Sequence, residues 1–287
     1  MTSAQFCPVG KLEKLLVATD RSQISDGAVH EAINFAKKCS SRLYVVSVLE
    51  TNPEYETTGS SFFEKEEAEA ADHLKVVKEM ASKEGLVCET FLHEGMDAAQ
   101  SIVDEASDKK VDMVVVGRHG RTGLLKTLMG SVASKVVINS PCKVLVVPKA
   151  ARIEYRNTLV ATDGSGHSIA AVKEAVGIAK RCGSKIIALS AIRSDGELEK
   201  AKANVNAVLE LAESEGVEAE GLTPTGRSYN AIVETAGGRG VDLIVMGIPV
   251  KTAIEKIFTG SATEKVIGTA GCAVLVVKGD VSVSATV

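Results

Sequence analysis

The sequence has no tryptophan and only six phenylalanines and four tyrosines in 287 residues. Stacking platforms for single-stranded nucleic acid are therefore scarce. No charge of one sign dominates: the formal net charge is −4, so no basic field exists to hold a polyanion. Nucleic acid is not an expected partner. No run approaches eighteen apolar residues, and the opening MTSAQFCPVGKLEK lacks an apolar leader core. The chain reads as a soluble cytoplasmic protein without a membrane role. Its six cysteines, at positions 7, 39, 88, 142, 182 and 272, never form a C-x-x-C pair, so metal-ligand spacing is absent. They read as buried thiols in a reducing compartment. No G-x-x-x-x-G-K-[S/T] run occurs, which excludes a P-loop NTPase.

What is present is concentrated in VDMVVVGRHGRTGLLKTLMGS, residues 111–131. Met113–Val116 are apolar and rich in β-branched residues, as a buried parallel strand requires. Gly117 stops the strand, the loop carries Gly120 and Gly123, and Gly130-Ser131 opens the apolar-periodic run VASKVVI. A strand, a glycine-rich loop and a helix start in that order make an anion cradle. Glycines let backbone N–H groups approach oxygen atoms closely, and a helix N-terminus favours a phosphate by roughly 0.3–1 kcal/mol. Arg118 and Arg121 add positive charge at the rim.

The chain is also an internal duplication. LLVATDRSQISDGAVHEAINFAKKCSSRLYVVSV aligns with TLVATDGSGHSIAAVKEAVGIAKRCGSKIIALSA, so that Asp20 matches Asp163. VDMVVVG matches VDLIVMG, Gly130-Ser131 matches Gly260-Ser261, and CKVLVV matches CAVLVV. The second copy is shorter, chiefly where the first has Thr51–Ala70. In the first copy, strands are expected near Leu15–Thr19, Leu43–Leu49, Val87–Leu92, Met113–Val116 and Val144–Val147. Amphipathic helices lie between them; Ala28, Ala32, Phe35, Ala36 and Cys39 share one face of the first. Strands alternating with helices imply right-handed βαβ units, hence an α/β fold with a doubly wound open parallel sheet.

Gly117-x2-Gly120, nine further residues and Gly130-Ser131 match the G-x2-G-x9-G-[S/T] nucleotide loop of the universal stress protein family. On that motif the chain resembles a tandem member, with domains at 11–149 and 155–278. The resemblance implies two Rossmann-like five-stranded sheets of order 3-2-1-4-5. It implies a regulatory stress-response module that holds ATP (or AMP/ADP), with Mg2+, without obligatory turnover. Asp20 would hydrogen-bond the adenine–ribose end with Thr19 beside it, and Val48 and Val116 would contact adenine. Gly117, Gly120, Gly130, Ser131 and Val132 would hold ribose and phosphates, and the Arg118 side chain would reach the same groups. The alternative is a slow ATPase or autophosphorylating enzyme using the same loop, for which only His119, Thr122 and Ser131 are at hand. The family's domains pair through their last strands, so Val144–Val147 and Val274–Val277 are the expected intrachain contact, with homodimerisation left open.

Other features read more plainly. Gly164-Ser-Gly166 begins a dinucleotide fingerprint, but Ile169 stands at its third glycine. His30 and His73 read as solvated surface, Phe62-Phe63 as a cap on the crevice or, in preference, loop packing, and Glu64–Glu69 as a solvated helix face. The second copy's loop, GIPVKTAIEKIFTGS, replaces Arg118, His119, Gly120 and Gly123 with Ile248, Pro249, Val250 and Ala253. A β-branched residue resists positive φ and brings a Cβ toward a ligand, and proline removes a donor. One nucleotide per chain is expected, in the first domain. Because a bare apolar terminal strand is an aggregation edge, residues 1–150 expressed alone should form a homodimer or insoluble material. Size-exclusion chromatography checks this; a well-behaved monomer contradicts it.

Overall fold

The computed structural model describes residues 7–10, 12–51, 60–120, 129–250 and 261–279, with side chains of the helix beginning at Ser60 described from Phe63 onward. Arg121, Thr122, Gly123, Ala253, Gly260 and the Phe62 side chain, all invoked above, lie outside them. The chain divides into two compact units, one drawn from Lys11–Lys149 and one formed mainly by Ala150–Val287, which among the described residues also takes in residues 7–10 and Met129.

The first unit runs β1 (Lys14–Ala18), α1 (Asp26–Cys39), β2 (Arg42–Glu50), α2 (Ser60–Lys83), β3 (Cys88–Gly95), α3 (Ala98–Lys109), β4 (Met113–Gly117), α4 (Ser131–Asn139) and β5 (Lys143–Val147). All its strand pairs are parallel: β2 with β3, β1 with β2, β1 with β4, and β4 with β5. Its core strands read as continuous apolar runs because both faces are covered: Leu15, Leu16, Val17, Met113, Val114 and Val115 are fully buried. Right-handed crossovers place α1 and α2 on one face and α3 and α4 on the other. The apolar stripe of α1 faces inward as expected, with Ala28, Ala32, Phe35 and Ala36 buried. Asp112 pins the sheet's entry, its Oδ2 accepting the backbone N–H groups of Glu13 and Lys14.

The second unit repeats the pattern: β6 (Asn157–Ala161), α5 (Gly166–Cys182), β7 (Lys185–Leu189), α6 (Leu198–Ser214), β8 (Ala219–Leu222), α7 (Ser228–Gly238), β9 (Leu243–Pro249), α8 (Ala262–Thr269) and β10 (Ala273–Gly279). Its parallel pairs are β7 with β8, β6 with β7, β6 with β9, and β9 with β10. Asp242 takes the role of Asp112, accepting from the N–H groups of Tyr155 and Arg156. The duplication read from sequence is thus a duplication of structure down to single hydrogen bonds.

One reading is corrected. Cys7 and Cys39 are disulfide-bonded rather than free thiols. Cys88, Cys142, Cys182 and Cys272 are free, and burial pushes the thiols of Cys88 and Cys272 up to about 11 and about 12. Those two are protonated and unreactive at neutral pH.

Candidate functional site

In the first unit a cavity of about 410 Å3 opens at the carboxyl ends of β1 and β4, where the strand order reverses. Of the ten residues singled out from sequence, nine line it: Thr19, Asp20, Val48, Val116, Gly117, Gly120, Gly130, Ser131 and Val132. They arrive from four places, the ends of β1, β2 and β4 and the start of α4. His119 joins them. Arg118 does not: its half-buried side chain is absent from the wall, and burial lowers its guanidinium pKa. The loop uses the Arg118 backbone instead. Its N–H donates to Val147 O at 3.1 Å and its carbonyl accepts from Gly130 N at 2.9 Å, which ties the two ends of the glycine loop together.

The glycines matter for close approach, not for unusual dihedrals. None of Gly117, Gly120 and Gly130 has a positive φ, which corrects the expectation for Gly120. A Cβ on residue 120 would stand 3.0 Å from Asp20 Oδ2, and one on residue 130 would stand 3.2 Å from Arg118 O. Asp20 is oriented by its own turn, since Oδ1 accepts from Ser22 N at 3.1 Å and from Ser22 Oγ at 2.7 Å. With no side chain on residue 120, the loop approaches the Asp20 carboxylate at a distance that a Cβ would make tight.

Behind this wall Thr19 Oγ1 contacts Ser25 Oγ at 3.1 Å and His73 Nε2 at 3.0 Å. His73 is thus half-buried and bonded into the site's support, not solvated surface, whereas His30 is exposed as expected. Glu66 also departs from its sequence reading, and of the two readings offered for Phe63 the structure favours the one at the crevice. Glu66 forms an ion pair with Arg21 at 2.6 Å, and Phe63 lines the cavity. Arg21 itself went unnoticed, although its match to Gly164 in the second copy marked the position as one that favours glycine. Ser25, Leu49, Glu50, Ala98, Ile102 and Ala133 also line the wall without any motif to announce them.

The helix start differs between the two units. α4 is preceded by Gly130, which offers no side-chain cap, and helix geometry leaves the N–H groups of Ser131, Val132 and Ala133 without an intrahelical acceptor. They face the cavity's end. In α8, Ser261 Oγ accepts from Glu264 N at 3.1 Å and Glu264 sits in the first turn. This arrangement satisfies a donor and sets a negative charge where an anion would bind.

The matching strand ends differ as well. β4 stops at Gly117, in register with Val147, and the chain turns away. β9 continues past Gly247 through Ile248 and Pro249, paired with Lys278 and Gly279, and Val250 N donates to Gly279 O at 3.0 Å. Ile248 is only 4% exposed. The first turn of α5 closes the remaining space, since a Cβ on Gly247 would fall 2.0 Å from His167 O.

A family model described as "Universal stress protein family" matches the chain twice, at residues 11–148 and 154–278. The chain belongs to the universal stress protein family. One curated relative is a universal stress protein of Methanocaldococcus jannaschii, 38% identical over 143 residues, covering 48% of this chain and 82% of its own. Another, from Bacillus subtilis, is 34% identical over 148 residues, covering 47% and 97%. A crystal structure of a universal stress protein from Archaeoglobus fulgidus superposes with a TM-score of 0.79 at 20% identity, covering 93% of this chain and 96% of that one. This match spans both repeats and shows a shared fold. Among the described residues, no helix of this universal stress protein is long and apolar enough to cross a membrane, and no cluster of three or more metal-ligating side chains occurs.

The supporting network carries a pH signature. Burial lowers the His73 pKa below its ordinary 6.5, against the opposing pull of Asp26. A histidine whose folded pKa lies below its unfolded value binds fewer protons when folded, so its stabilisation is present above about 6.5 and is lost as pH falls below it. Thermal unfolding between pH 7.5 and 5.5 should show a loss of stability toward acid. His73→Asn, which installs the residue the second repeat carries as Asn204, should show a smaller loss. Equal slopes for the two proteins would contradict this role.

Proposed function

We propose that the first repeat is an adenine-nucleotide site, taking ATP (or AMP/ADP), and that the chain is a nucleotide-binding regulatory module with one site per chain. The observation that carries this reading is the uncapped start of α4 meeting the Gly117–Gly120 loop and Asp20 around a single cavity. Its volume of about 410 Å3 lies within the roughly 300–1,000 Å3 of small-molecule sites. Unsatisfied N–H groups and the helix dipole suit phosphates at one end. Thr19 and the Asp20 carboxylate suit hydroxyl donors at the other, and Val48 and Val116 give an apolar surface for a base. Mg2+ would enter on the phosphates, keeping most of its water, since this ion is commonly held by one or two carboxylates and the substrate itself.

Binding without turnover is the function these residues support best. Phosphoryl transfer needs a positioned base or water-orienting group beside the charge-stabilising cradle, and among the described residues His119 is the one imidazole on the cavity wall. In the second repeat, the extended β9, the His167 backbone against Gly247 and the self-capped α8 all oppose an anionic ligand. That repeat is proposed to be a structural or partner-binding copy.

Titration calorimetry of the whole chain with MgATP should give a stoichiometry near one. Asp20→Ala should weaken binding by roughly 1.5–3 kcal/mol, about ten- to hundredfold. Gly120→Val should abolish binding while thermal unfolding confirms a folded chain. A stoichiometry of two, unchanged affinity in Asp20→Ala, or sustained multiple turnover of labelled ATP would each overturn the corresponding part of this reading.

A further inference from the structure

The first repeat opens α2 with α-helical turns where the second has a single 3-10 turn, Asp195–Glu197. Buried residues of α2, namely Ala70, Leu74, Val77 and Ala81, align with Ala201, Val205, Val208 and Ala212 of α6. On that alignment α6, which begins at Leu198, starts opposite Glu67, so the α-helical turns Ser60–Glu66 belong to α2 alone. These turns bring Phe63 and Glu66 to the cavity wall.

Arg21 holds them there. Its Nη2 donates to Glu66 Oε2 at 2.6 Å and its Nη1 to the Glu66 carbonyl at 2.7 Å. The two side chains are only 12% and 19% exposed, so this ion pair is screened far less than a surface pair. Arg21 lies at φ +68°, and its counterpart in the second repeat is Gly164 at φ +80°. An arginine is strained in that region where glycine is relaxed. What distinguishes Arg21 from Gly164 is its grip on the extra turns.

The cavity is also polarised. Glu50 at the end of β2, and Glu66 on α2 with its Arg21 partner, lie on the β2–β3 side of the cavity, and the α4 start with its backbone donors lies on the β4–β5 side, next to the Gly120 loop and Asp20. A nucleotide's phosphates therefore belong at α4 and its uncharged base beneath α2. Among the described residues, Phe63 supplies the one phenyl ring on the wall. We infer that Phe63 is the stacking surface for the nucleobase, and that Arg21 acts through Glu66 as the positioning residue that presents it. This rests on the nucleotide reading above and adds to it the part of the site that reads the base.

The chain has no tryptophan, so Phe63→Trp in the full chain creates a single fluorescent reporter. ATP should quench its emission, and tripolyphosphate, which carries charge but no base, should not. Unchanged emission with ATP, or equal quenching by both, overturns the inference. Calorimetry supplies a second measurement. Phe63→Ala should weaken ATP binding about five- to a hundredfold, the range expected for one stacked base. Arg21→Gly relieves that backbone position but removes the counter-charge of the sheltered Glu66 carboxylate, so the melting temperature should fall while the chain stays folded, and ATP binding should weaken by at least about fivefold. The double variant should lose less than the product of the two single losses, because Arg21 works through the segment that carries Phe63. Affinities within twofold of wild type, or full additivity, would overturn the roles assigned to Phe63 and Arg21. If the unsubstituted chain binds no ATP, the nucleotide reading itself fails; if it binds and the variants match it, only the stacking assignment fails.

Discussion

The cavity of the first repeat depends on one close approach. Asp20, at the end of β1, stands against the loop that leaves β4, at a distance that a side chain on residue 120 would make tight. Its other carboxylate oxygen is occupied by the Ser22 turn, so the carboxylate has little freedom to retreat. With the loop anchored to the end of β5 by Arg118 N and closed on itself by the Gly130–Arg118 backbone bond, the start of α4 is left open toward the crevice. The wall, the donors and the acidic end all follow from the chain turning away after Gly117 instead of continuing along its neighbour.

The second repeat shows the same framework without that turn. Ile248, Pro249 and Val250 favour extended backbone, and β9 runs on beside β10 with Ile248 buried. Proline is tolerated there because it lies at the strand's end, beyond the register with β6. The space that remains is taken by the α5 backbone, and α8 caps its own first turn. A few substitutions at one strand end thus convert an open crevice into packed sheet, while the pinning aspartates Asp112 and Asp242 keep both frameworks alike. Family membership, established by two matches to one model, describes that shared framework; the contrast between the repeats lies in the strand end.

The first repeat diverges in the opposite direction as well. Its longer α2 covers more of the cavity, and the strained backbone at Arg21 is held by an ion pair sheltered from water. Specialisation therefore occurred on two sides of one site: a loop that stays open below and an added pair of helical turns above. His73, bonded to Thr19, ties α2 to the end of β1, so the covering helix and the floor of the site are mechanically continuous.

The fold was legible because its signals are local and repeated. Apolar β-branched runs, helical periodicity and an internal duplication point to parallel βαβ units, and the motif spacing picked out nine residues that do meet around one cavity. Contacts made across the crevice were not legible. Glu66 sits in a run of charges that periodicity assigns to solvent, and nothing local to it announces Arg21, 45 positions earlier. His73 looks like any polar helix residue until Thr19 is placed beside it. Gly120 reads as a glycine needed both for its dihedrals and for close approach, and the structure keeps only the second reason, with Asp20 as the group approached. By itself the sequence determined which segments become strands and helices and where the loop lies, because those depend on propensity and pattern within a few neighbouring residues. Only the tertiary structure decided which side chains share the cavity and why the second repeat closes, because those depend on distances between residues far apart in the chain.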